Sequence, residues 1–465
     1  MIIEPGTTSD TVDDTVQGDA KRQGDKRIAT VIGGGLVGLV VAIFLARRGY
    51  EVHVYELRGD PRYEQIALGS SIALTLTERG LSPLNAVGLE VQTRAELATS
   101  LRSRAVHDID GSVFTMPYGI TDEQVLNSVA RADLHLMLVQ AAAKEPNIEL
   151  RFGQRFVAGN CETGEMCFED VKTGRHQSTS ADLIVGSDGV HSAVRGLVHK
   201  GLLASMTKTY VPYRYTEVTL DAAAVDRNSL HIWPRGEKMA FALPTRNGVN
   251  AVVVLPQSGP ASVESLKQPE DVLLLFKQDF PDIADNAPRL IEEVLGTTPS
   301  GFATVRTDTW VRGRVVLVGD AAHAVTPFYG QGVNCGFEDA LALDAMLGKH
   351  WHDQSAALAE YQAARRPQAE ALADLSIQNF DELRDTVRDP RVAARKRIDL
   401  AAQKVLGTPS LYTRVAHSTI PYADCVALEQ RRHRITRRLG ADVAARGIVI
   451  AGSARRLASV RRGNA

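Results

Sequence analysis

Residues 28–46, IATVIGGGLVGLVVAIFLA, form a run of nineteen positions without a charged side chain. A run of this length could nearly span a bilayer, which takes about 20 apolar residues. Its internal pattern indicates a different structure, because the β-branched segment Ile28–Ile32 is followed by three glycines. Helix-forming Leu and Ala then continue to Arg48, and Gly49 has the position of a helix C-cap. The pattern therefore predicts a strand, a turn and a buried helix.

The glycines of this turn have the spacing of a dinucleotide-binding fingerprint. Gly33, Gly35 and Gly38 fit G-x-G-x-x-G, which permits a tight turn, close approach of a pyrophosphate and close helix packing. The next segment, EVHVYELR, predicts a second strand that ends at Glu56, where a carboxylate can accept hydrogen bonds from an adenosine ribose. An acid at this point disfavours a 2′-phosphate. We therefore expect a bound dinucleotide at the positive end of the helix.

The same order of strand, turn and helix occurs twice more along the chain. Leu183–Val185 is a short apolar run before GSDGVHSAVR, and we expect Ser192 and Arg195 on the helix that follows. Val315–Val318 precedes a Gly-Asp pair, a loop rich in Pro and Gly, and an amphipathic helix from about Asn334. Repeated units of this kind predict an α/β fold with a parallel sheet.

A different pattern separates these units. Within Tyr210–Leu255, the runs YRYTEVTL, SLHIWP, KMAFALP and NAVVVLP have the short, regular spacing of strands. They predict an antiparallel sheet that forms a second domain. From Phe337 onward the sequence is nearly all helix-forming.

Composition narrows the class of ligand and the compartment. The 465 residues are 44% hydrophobic, and 53 basic against 55 acidic residues give a formal charge of -2, which does not favour a nucleic-acid partner. Four cysteines without metal-ligand spacing are interpreted as reduced thiols of a cytoplasmic protein, and no metal site is expected. Residues 1–26 lack the pattern of a secretory signal and predict a disordered tail.

Three motifs in this order carry a family resemblance: the glycine turn, GSDGVHSAVR and GDAAHAVTPFYGQGVNCGFED. They resemble the fingerprints of the single-component aromatic hydroxylases that use FAD and have the p-hydroxybenzoate hydroxylase fold. Within that group, MPYG, NSVAR, LHIWPR and SLYT make the chain most similar to the kynurenine 3-monooxygenase family. The resemblance covers about Arg27 to Arg432.

The resemblance implies a discontinuous, Rossmann-like FAD-binding domain of the GR2 type, an antiparallel substrate domain and a helical C-terminal region. We expect the FAD-binding domain over 27–98, 127–205 and 306–390, and the substrate domain over 99–126 and 206–305. Residues 391–465 form the expected helical region with its basic tail. The apolar run GIVIAG in that tail is too short to span a bilayer, so no transmembrane segment is expected.

Tightly bound FAD is the cofactor that the resemblance implies. Besides the three fingerprint glycines, the resemblance assigns the adenosine end of FAD to Val37, Glu56 and Arg58, and further flavin contacts to Arg131 and Asp320. Thr75 and Phe156 match positions that line the same cofactor in relatives. Val333 and Asn334 begin the next helix, whose amides and dipole can stabilise the reduced flavin.

The resemblance also implies a site for a small aromatic amino acid. Kynurenine carries a carboxylate, an amine and an aryl ketone, and the matching positions are Arg104, Tyr118, Asn379 and Tyr412. A guanidinium can bind a carboxylate through two parallel hydrogen bonds, and the hydroxyls can complete that contact. Asn379 is expected to bind the amine or carboxylate from the opposite side.

The chemistry implied by the resemblance needs no metal and no protein nucleophile. NADPH docks transiently and reduces FAD, dioxygen forms a flavin C4a-hydroperoxide, and oxygen is transferred ortho to the aniline nitrogen, at ring C3 of L-kynurenine. The protein positions the substrate and excludes water. No catalytic acid or base is therefore named. His231, Trp233 and His323 are interpreted as structural, and the oligomeric state is left open.

Some positions depart from the family pattern. Phe380 stands where relatives usually have Tyr, and Ser70 and Ala73 replace an expected Arg and Asn. Glu382 can either bind the substrate amine or pair with Arg384. Because Phe380 removes a hydroxyl, a sister hydroxylase for an indolic, methylated-kynurenine or anthranilate substrate stays open. A flavoprotein of this fold that is not an oxygenase is a second alternative.

Overall fold

The structure, a computed structural model, describes residues 27–64, 73–118, 121, 123–381, 409–432 and 434. Its strands in chain order are β1 (Ile28–Ile32), β2 (Glu51–Glu56), β3 (Leu74–Leu76), β4 (Thr99–Leu101), β5 (Ser103–His107), β6 (Val113–Pro117), β7 (Leu126–Val129), β8 (Ile148–Phe152), β9 (Gln154–Gly159), β10 (Glu165–Asp170), β11 (His176–Ser180), β12 (Leu183–Gly186), β13 (Met206–Leu220), β14 (Ser229–Arg235), β15 (Lys238–Thr245), β16 (Gly248–Pro256), β17 (Ser300–Thr307), β18 (Val311–Arg312) and β19 (Val315–Leu317). Its helices are α1 (Leu36–Arg47), α2 (Glu78–Ala86), α3 (Glu90–Gln92), α4 (Arg131–Lys144), α5 (Ala193–His199), α6 (Pro269–Asp279), α7 (Pro281–Asn286), α8 (Leu290–Gly296), α9 (Asp320–His323), α10 (Gly332–Lys349), α11 (Gln354–Asp381) and α12 (Leu411–Ala416). A further helix follows over 422–432.

The central sheet has the order β18-β19-β12-β1-β2-β8, and every neighbouring pair except β18-β19 is parallel. β1 lies between β12 and β2, with Val31 opposite both Val185 and Val54. α1 packs with α4 and α10, while Tyr55 of β2 stacks on Phe168 of β10 with ring centroids 3.7 Å apart. A parallel sheet needs apolar strands because its faces are covered. The predicted α/β class is confirmed.

The glycine turn joins β1 to α1. Gly33 has φ of +106°, and a Cβ there would lie 2.4 Å from the carbonyl oxygen of Ser187. A Cβ on Gly38 would lie 2.0 Å from the carbonyl oxygen of Gly33, so helix and turn pack too closely for any side chain. A Cβ on Gly35 would meet no atom within 4 Å. The turn is therefore closed towards the sheet and open at Gly35.

α1 is a core helix, since ten of its twelve residues are buried. Beyond its end, Gly49 has φ of +92° and the amide of Tyr50 donates to the carbonyl of Leu45, as a Schellman C-cap requires. This confirms the predicted strand, turn and helix. Among the described helices, none combines the length and the apolar character that crossing a membrane demands.

A second sheet of seven strands has the order β17-β13-β16-β15-β14-β5-β6. The four strands predicted within Tyr210–Leu255 pair antiparallel to one another, as β13-β16, β16-β15 and β15-β14. One pair departs from the antiparallel prediction, because β14 and β5 run parallel with Leu230 opposite Arg104. Periodicity along a strand indicates which faces are buried and carries no information about the direction of its neighbour.

The two faces of this sheet have different neighbours. Trp233 and Val253 belong to a hydrophobic cluster with Phe276 of α6 and residues of α7 and α8. On the opposite face, Ile232 and Met239 cluster with aromatic residues that include Phe328 and Phe380. Side chains therefore alternate along β14 between a face covered by helices and a face turned to the rest of the molecule.

Two small sheets, β3-β7-β4 and β11-β10-β9, complete the described strands. α11, α12 and the helix over 422–432 agree with the helix-forming composition expected after Phe337. The predicted tail over 1–26, most of the 391–465 region and the GIVIAG run lie outside the described residues. The domain limits drawn from the sequence stay predictions.

Candidate active site

A cavity of about 600 Å³ opens beside the glycine turn and extends to the face of the seven-stranded sheet that carries Ile232 and Met239. Thirteen of the sixteen site residues predicted from the sequence line it: Gly33, Gly35, Val37, Glu56, Arg58, Thr75, Arg104, Tyr118, Arg131, Phe156, Asp320, Val333 and Tyr412. The other three, Gly38, Asn334 and Asn379, do not belong to its lining. Its size is typical of small-molecule sites.

At one end of the cavity, Glu56 connects the second strand to the glycine turn. The side chain is 5% exposed, and its Oε2 accepts from the Gly34 amide at 2.7 Å. Its Oε1 accepts from the amide of Arg58 at 3.0 Å and from the Arg58 guanidinium Nε at 2.7 Å. The carboxylate thus fixes the turn and stays at the cavity wall, where the sequence predicts contact with a ribose.

A buried histidine that the sequence analysis did not identify also contacts the glycine turn. His135 of α4 is 3% exposed, and its Nε2 lies 2.7 Å from the carbonyl oxygen of Gly34. Because a carbonyl only accepts, Nε2 must carry the proton. Burial lowers the pKa of His135, so the ring is neutral in this tautomer. His135 and Gly34 are 101 positions apart, and no local pattern links them.

Asp320 begins α9 and is exposed to the cavity. The preceding Gly319 has φ of +56°, and a Cβ there would lie 3.3 Å from the Val37 side chain. The Gly319 amide donates to Asp339 Oδ2 at 3.0 Å. A buried carboxylate thus fixes the backbone before Asp320. The turn at Gly319 then places the Asp320 side chain at the cavity.

Asp339 is the centre of a buried ionic network. Its Oδ1 accepts from Arg365 Nε at 2.7 Å, and its Oδ2 lies 2.5 Å from His323 Nε2. Burial opposes ionisation of Asp339, but His323 and Arg365 outweigh it and lower the pKa of the carboxyl. His323, Cys335 and Asp339 also have the spacing of a metal site, with ligand atoms within 4.8 Å of one another. Arg365 lies 3.3 Å from Cys335 Sγ, so the network already holds a cation.

Asn334 lies in the first turn of α10, which begins at Gly332, two residues before the predicted start. Its Oδ1 accepts from the Thr77 amide at 3.0 Å, and its Nδ2 donates to the carbonyl of Thr75 at 2.8 Å. The amide group therefore joins α10 to β3. Val333, beside it, lines the cavity, so the amino end of α10 is directed at this space.

The residues at this end of the cavity fit FAD. Gly33 and Gly38 shape a turn that a Cβ would fill, and the open position at Gly35 leaves room for a pyrophosphate. Glu56 and Asp320 offer carboxylates to hydroxyl groups, and Arg131 begins α4 at the cavity wall. These groups, together with the amino ends of α1 and α10, are those expected of a dinucleotide site.

At the other end of the cavity, the guanidinium of Arg104 on β5 lies beside the rings of two tyrosines. Its Nε is 3.4 Å from Tyr118 Oη, and its guanidinium carbon is 5.5 Å from the Tyr118 ring centroid and 5.8 Å from that of Tyr412. The two phenol rings are 5.6 Å apart. Burial raises the pKa of Tyr412, so its hydroxyl stays protonated and can donate. The structure brings these three predicted residues together.

An apolar wall surrounds this group. The sequence analysis did not assign its members, which are Leu230, Ile232, Met239, Phe241 and Phe328. A signal existed in the alternation of SLHIWP, where Leu230 and Ile232 must share a face opposite His231 and Trp233. Sequence alternation alone does not tell which of the two faces meets a ligand.

Asn379 and Phe380 both contact Phe328. Asn379 Nδ2 donates to the Phe328 carbonyl at 2.6 Å, and the Phe380 ring centroid is 4.3 Å from that of Phe328. Phe380 also meets Tyr213 at 5.1 Å, so it belongs to an aromatic cluster behind the cavity wall. Its departure from the family pattern therefore leaves the described cavity lining unchanged. Ala73 does line the cavity, whereas Ser70 and Glu382 lie outside the described residues.

Comparison with known proteins agrees with this geometry. Residues 27–376 match the FAD binding domain family. The chain is 40% identical over 447 residues to kynurenine 3-monooxygenase of Salinispora tropica, covering 93% of this chain and 98% of that protein. It is 39% identical over 443 residues to kynurenine 3-monooxygenase of Salinispora arenicola, with 93% and 97% covered.

Among solved structures, the chain is similar to Klebsiella pneumoniae HpxO complexed with FAD and uric acid. The TM-score is 0.65 at 22% identity, covering 82% of this chain and 95% of the other. At this identity the likeness concerns the fold, and it confirms the predicted fold class.

Proposed function

Because the chain belongs to the FAD-dependent kynurenine 3-monooxygenase family, we propose that it hydroxylates L-kynurenine at ring C3, with NADPH and dioxygen as co-substrates. The observation that carries the proposal is the group of Arg104, Tyr118 and Tyr412 in an otherwise apolar wall. This group shares one cavity with the glycine turn. A carboxylate-binding end and an apolar, aromatic-lined end suit an aryl amino acid.

The residues proposed to hold FAD are those of the turn together with Glu56, Arg131 and Asp320. FAD supplies the redox and oxygen chemistry that protein side chains lack. The amino end of α10 presents main-chain amides and the positive end of its dipole to the cavity, beside Val333. Such a helix end stabilises negative charge on a neighbouring ring.

Arg104 is proposed to bind the substrate carboxylate through two hydrogen bonds. The protonated hydroxyl of Tyr412 donates to the same group, and Tyr118 orients the guanidinium from 3.4 Å. Anchoring one end of the substrate fixes the distance of the aryl ring from the flavin. Phe241 and Phe328 enclose that ring, which limits both its motion and the access of water.

The chain itself is assigned no general acid or base. The aniline nitrogen of kynurenine donates electron density to the carbon beside it, so activation of the ring comes from the substrate. The protein contributes orientation, a dry wall and fixed dipoles. Phe380, which motivated a different substrate, lies behind the wall, so no second function is proposed.

The proposal is tested by the product of one reaction. Purified protein supplied with kynurenine, NADPH and oxygen is expected to yield a product that has gained one ring oxygen, detected by mass spectrometry. Arg104→Met should raise KM for kynurenine about 10- to 100-fold, the range for losing a charged hydrogen bond, with FAD content unchanged.

Arg289→Met is the matched control, because Arg289 is exposed and pairs with Glu292 on the surface at 2.8 Å. This variant should keep the wild-type KM. The proposal fails if kynurenine does not stimulate NADPH oxidation, or if the product carries no additional oxygen.

A further inference from the structure

Behind the substrate group, on the face of the seven-stranded sheet covered by helices, lies a group of polar and aromatic side chains. We call His107, His231, Trp233 and Asp282 the rear polar cluster. His231 and Trp233 alternate along β14 with the cavity residues Leu230 and Ile232. His107 is three residues after Arg104 on β5 and so faces the opposite side. The reaction described above uses none of these four residues.

The hydrogen bonds of the cluster fix its protons. His231 Nε2 lies 2.8 Å from the carbonyl oxygen of Asp226, so it must donate and its Nδ1 is free to accept. His107 Nε2 lies 2.8 Å from that Nδ1 and therefore donates to it. His107 Nδ1 lies 3.1 Å from Asp282 Oδ2, and a carboxylate accepts. His107 consequently carries a proton on both nitrogens, while His231 is neutral.

The charges around the cluster agree with this assignment. Burial lowers the pKa of His231, which favours the neutral ring. Burial opposes the ionisation of Asp282, but hydrogen bonds from His107 and Trp233 outweigh it and lower the pKa of that carboxyl. The His107 ring also stacks on the Trp233 indole at 4.3 Å, a favourable position for a cation.

Other charged groups reach the cluster from neighbouring elements. Arg235 of β14 donates to the His107 carbonyl at 2.9 Å. The Asp226 carboxylate accepts from the Ser229 hydroxyl, and the Asp226 carbonyl accepts from His231. The Asp279 carboxylate forms an ion pair with Lys238 at 2.5 Å. The Asp279 carbonyl accepts a hydrogen bond from the Arg235 guanidinium. The imidazolium of His107 therefore faces one carboxylate at hydrogen-bond distance, that of Asp282.

The cluster lies at the junction that carries the substrate group. In the described part of the chain, the β5-β6 hairpin joins the sheet through β14, at the parallel pair. Tyr118 depends on the same hairpin, since its amide donates to the Arg102 carbonyl at 3.0 Å. Main-chain pairing joins β5 to β14, and on the side away from the cavity His107 and His231 add a side-chain contact between the two strands. Ser103 and Ser229 assist there with a hydroxyl contact of 2.6 Å.

We infer that His107 is a positioning residue: clamped between His231 and Asp282 as a doubly protonated imidazole, it holds β5 so that Arg104 stays aimed at the substrate carboxylate. The inference builds on the proposed function, since it assigns Arg104 that ligand. Loss of the clamp should weaken substrate binding more than turnover.

The test compares His107→Phe, which keeps a ring against Trp233, with His107→Gln, which keeps a donor for His231. The Phe variant is expected to raise KM for kynurenine about tenfold with kcat within about twofold, and the Gln variant to be intermediate. The dissociation constant for FAD should not change in either variant.

Thr216→Val is the matched control. Thr216 is buried in β13 of the same sheet, and its hydroxyl contacts that of Thr297 at 3.4 Å, away from the cavity lining. It should lower thermal stability and leave the KM for kynurenine as in the wild type. If this control raises KM equally, or if the His107 variants keep the wild-type KM, the inference is overturned.

A second measurement separates this inference from the proposed function. In the nitrogen NMR spectrum of histidine-labelled protein, the signals lost in His107→Gln should be those of a doubly protonated ring at neutral pH. Signals of a neutral ring would overturn the inference even if kynurenine is the substrate. If kynurenine is not turned over while these signals are those of an imidazolium, the proposed function fails and the clamp stands.

Discussion

At the scale of single residues, two side chains bind the main chain of the dinucleotide turn at Gly34. Glu56 accepts from the Gly34 amide, and His135 donates to the Gly34 carbonyl. The main chain of Gly34 is thereby held through both its amide and its carbonyl, which belong to two successive peptide units. The fingerprint glycines permit the turn, but these two side chains determine its orientation towards a pyrophosphate.

His135→Leu should weaken FAD binding about tenfold, because the Gly34 carbonyl loses its buried donor and the turn loses its support. Quenching of flavin fluorescence on titration of the apoprotein measures this affinity. The control is His199→Leu, since His199 also contacts a backbone carbonyl, that of Thr309 at 3.0 Å, outside the cavity lining. Equal FAD affinities in the two variants would contradict the assigned role.

The pH dependence of stability follows from the same residue. The folded-state pKa of His135 is lowered, so the unfolded chain binds a proton more readily than the folded chain. The contribution is complete above the ordinary histidine value of about 6.5 and is lost as pH falls towards the lowered pKa. Urea unfolding of the wild type should therefore lose more stability between pH 7 and pH 5 than unfolding of His135→Leu.

At the scale of elements, α9, α10 and α11 meet at Asp339. This carboxylate binds the Gly319 amide and His323 on one oxygen and Arg365 on the other. The segment that directs Asp320 into the cavity is thus attached to α10 and α11 by charge as well as by packing. A buried ion pair contributes little net stability when intact, but its disruption leaves a buried charge without compensation.

Asp339→Asn is expected to lower the free energy of unfolding by about 3–5 kcal/mol, because buried Arg365 would keep only its ion pair with Glu338 at 3.2 Å and His323 would lose its carboxylate partner. Asp344→Asn, on the same helix, removes a partly exposed ion pair with Arg48 and should cost at most about 1 kcal/mol. Urea unfolding followed by circular dichroism measures both. A loss no larger for Asp339→Asn than for Asp344→Asn would show that the network has no such role.

The elements that the sequence predicts best are those with local signals. The spacing of Gly33, Gly35 and Gly38 fixes a turn, and alternation within Tyr210–Leu255 identifies four strands. The parallel β5-β14 pair and the contact between His135 and Gly34 join segments more than 100 positions apart. Their physical basis is tertiary packing, and a single sequence carries no local trace of it. Resemblance to a family, and no local pattern, predicts the group of Arg104, Tyr118 and Tyr412.

At the scale of the whole molecule, one cavity joins the central sheet to the seven-stranded sheet, and Phe328 lies in its wall. Its ring is 8% exposed and packs on Phe302 at 4.9 Å and on Phe380 at 4.3 Å. Asn379 holds its backbone carbonyl from α11. β17 and α11 therefore keep this ring between the cavity and the aromatic cluster behind it.

Phe328→Ala should leave oxidation of NADPH measurable but divert it from product to hydrogen peroxide, because the lost ring opens the wall to water and frees the substrate. The ratio of hydroxylated product to NADPH consumed is expected to fall several-fold, with peroxide accounting for the difference. Phe276→Ala is the control, since Phe276 of α6 is buried against the face of the seven-stranded sheet that helices cover. That variant also creates a cavity and should lose comparable stability, about 3–5 kcal/mol, without a change in coupling. Equal coupling ratios in the two variants would place the exclusion of water elsewhere than at Phe328.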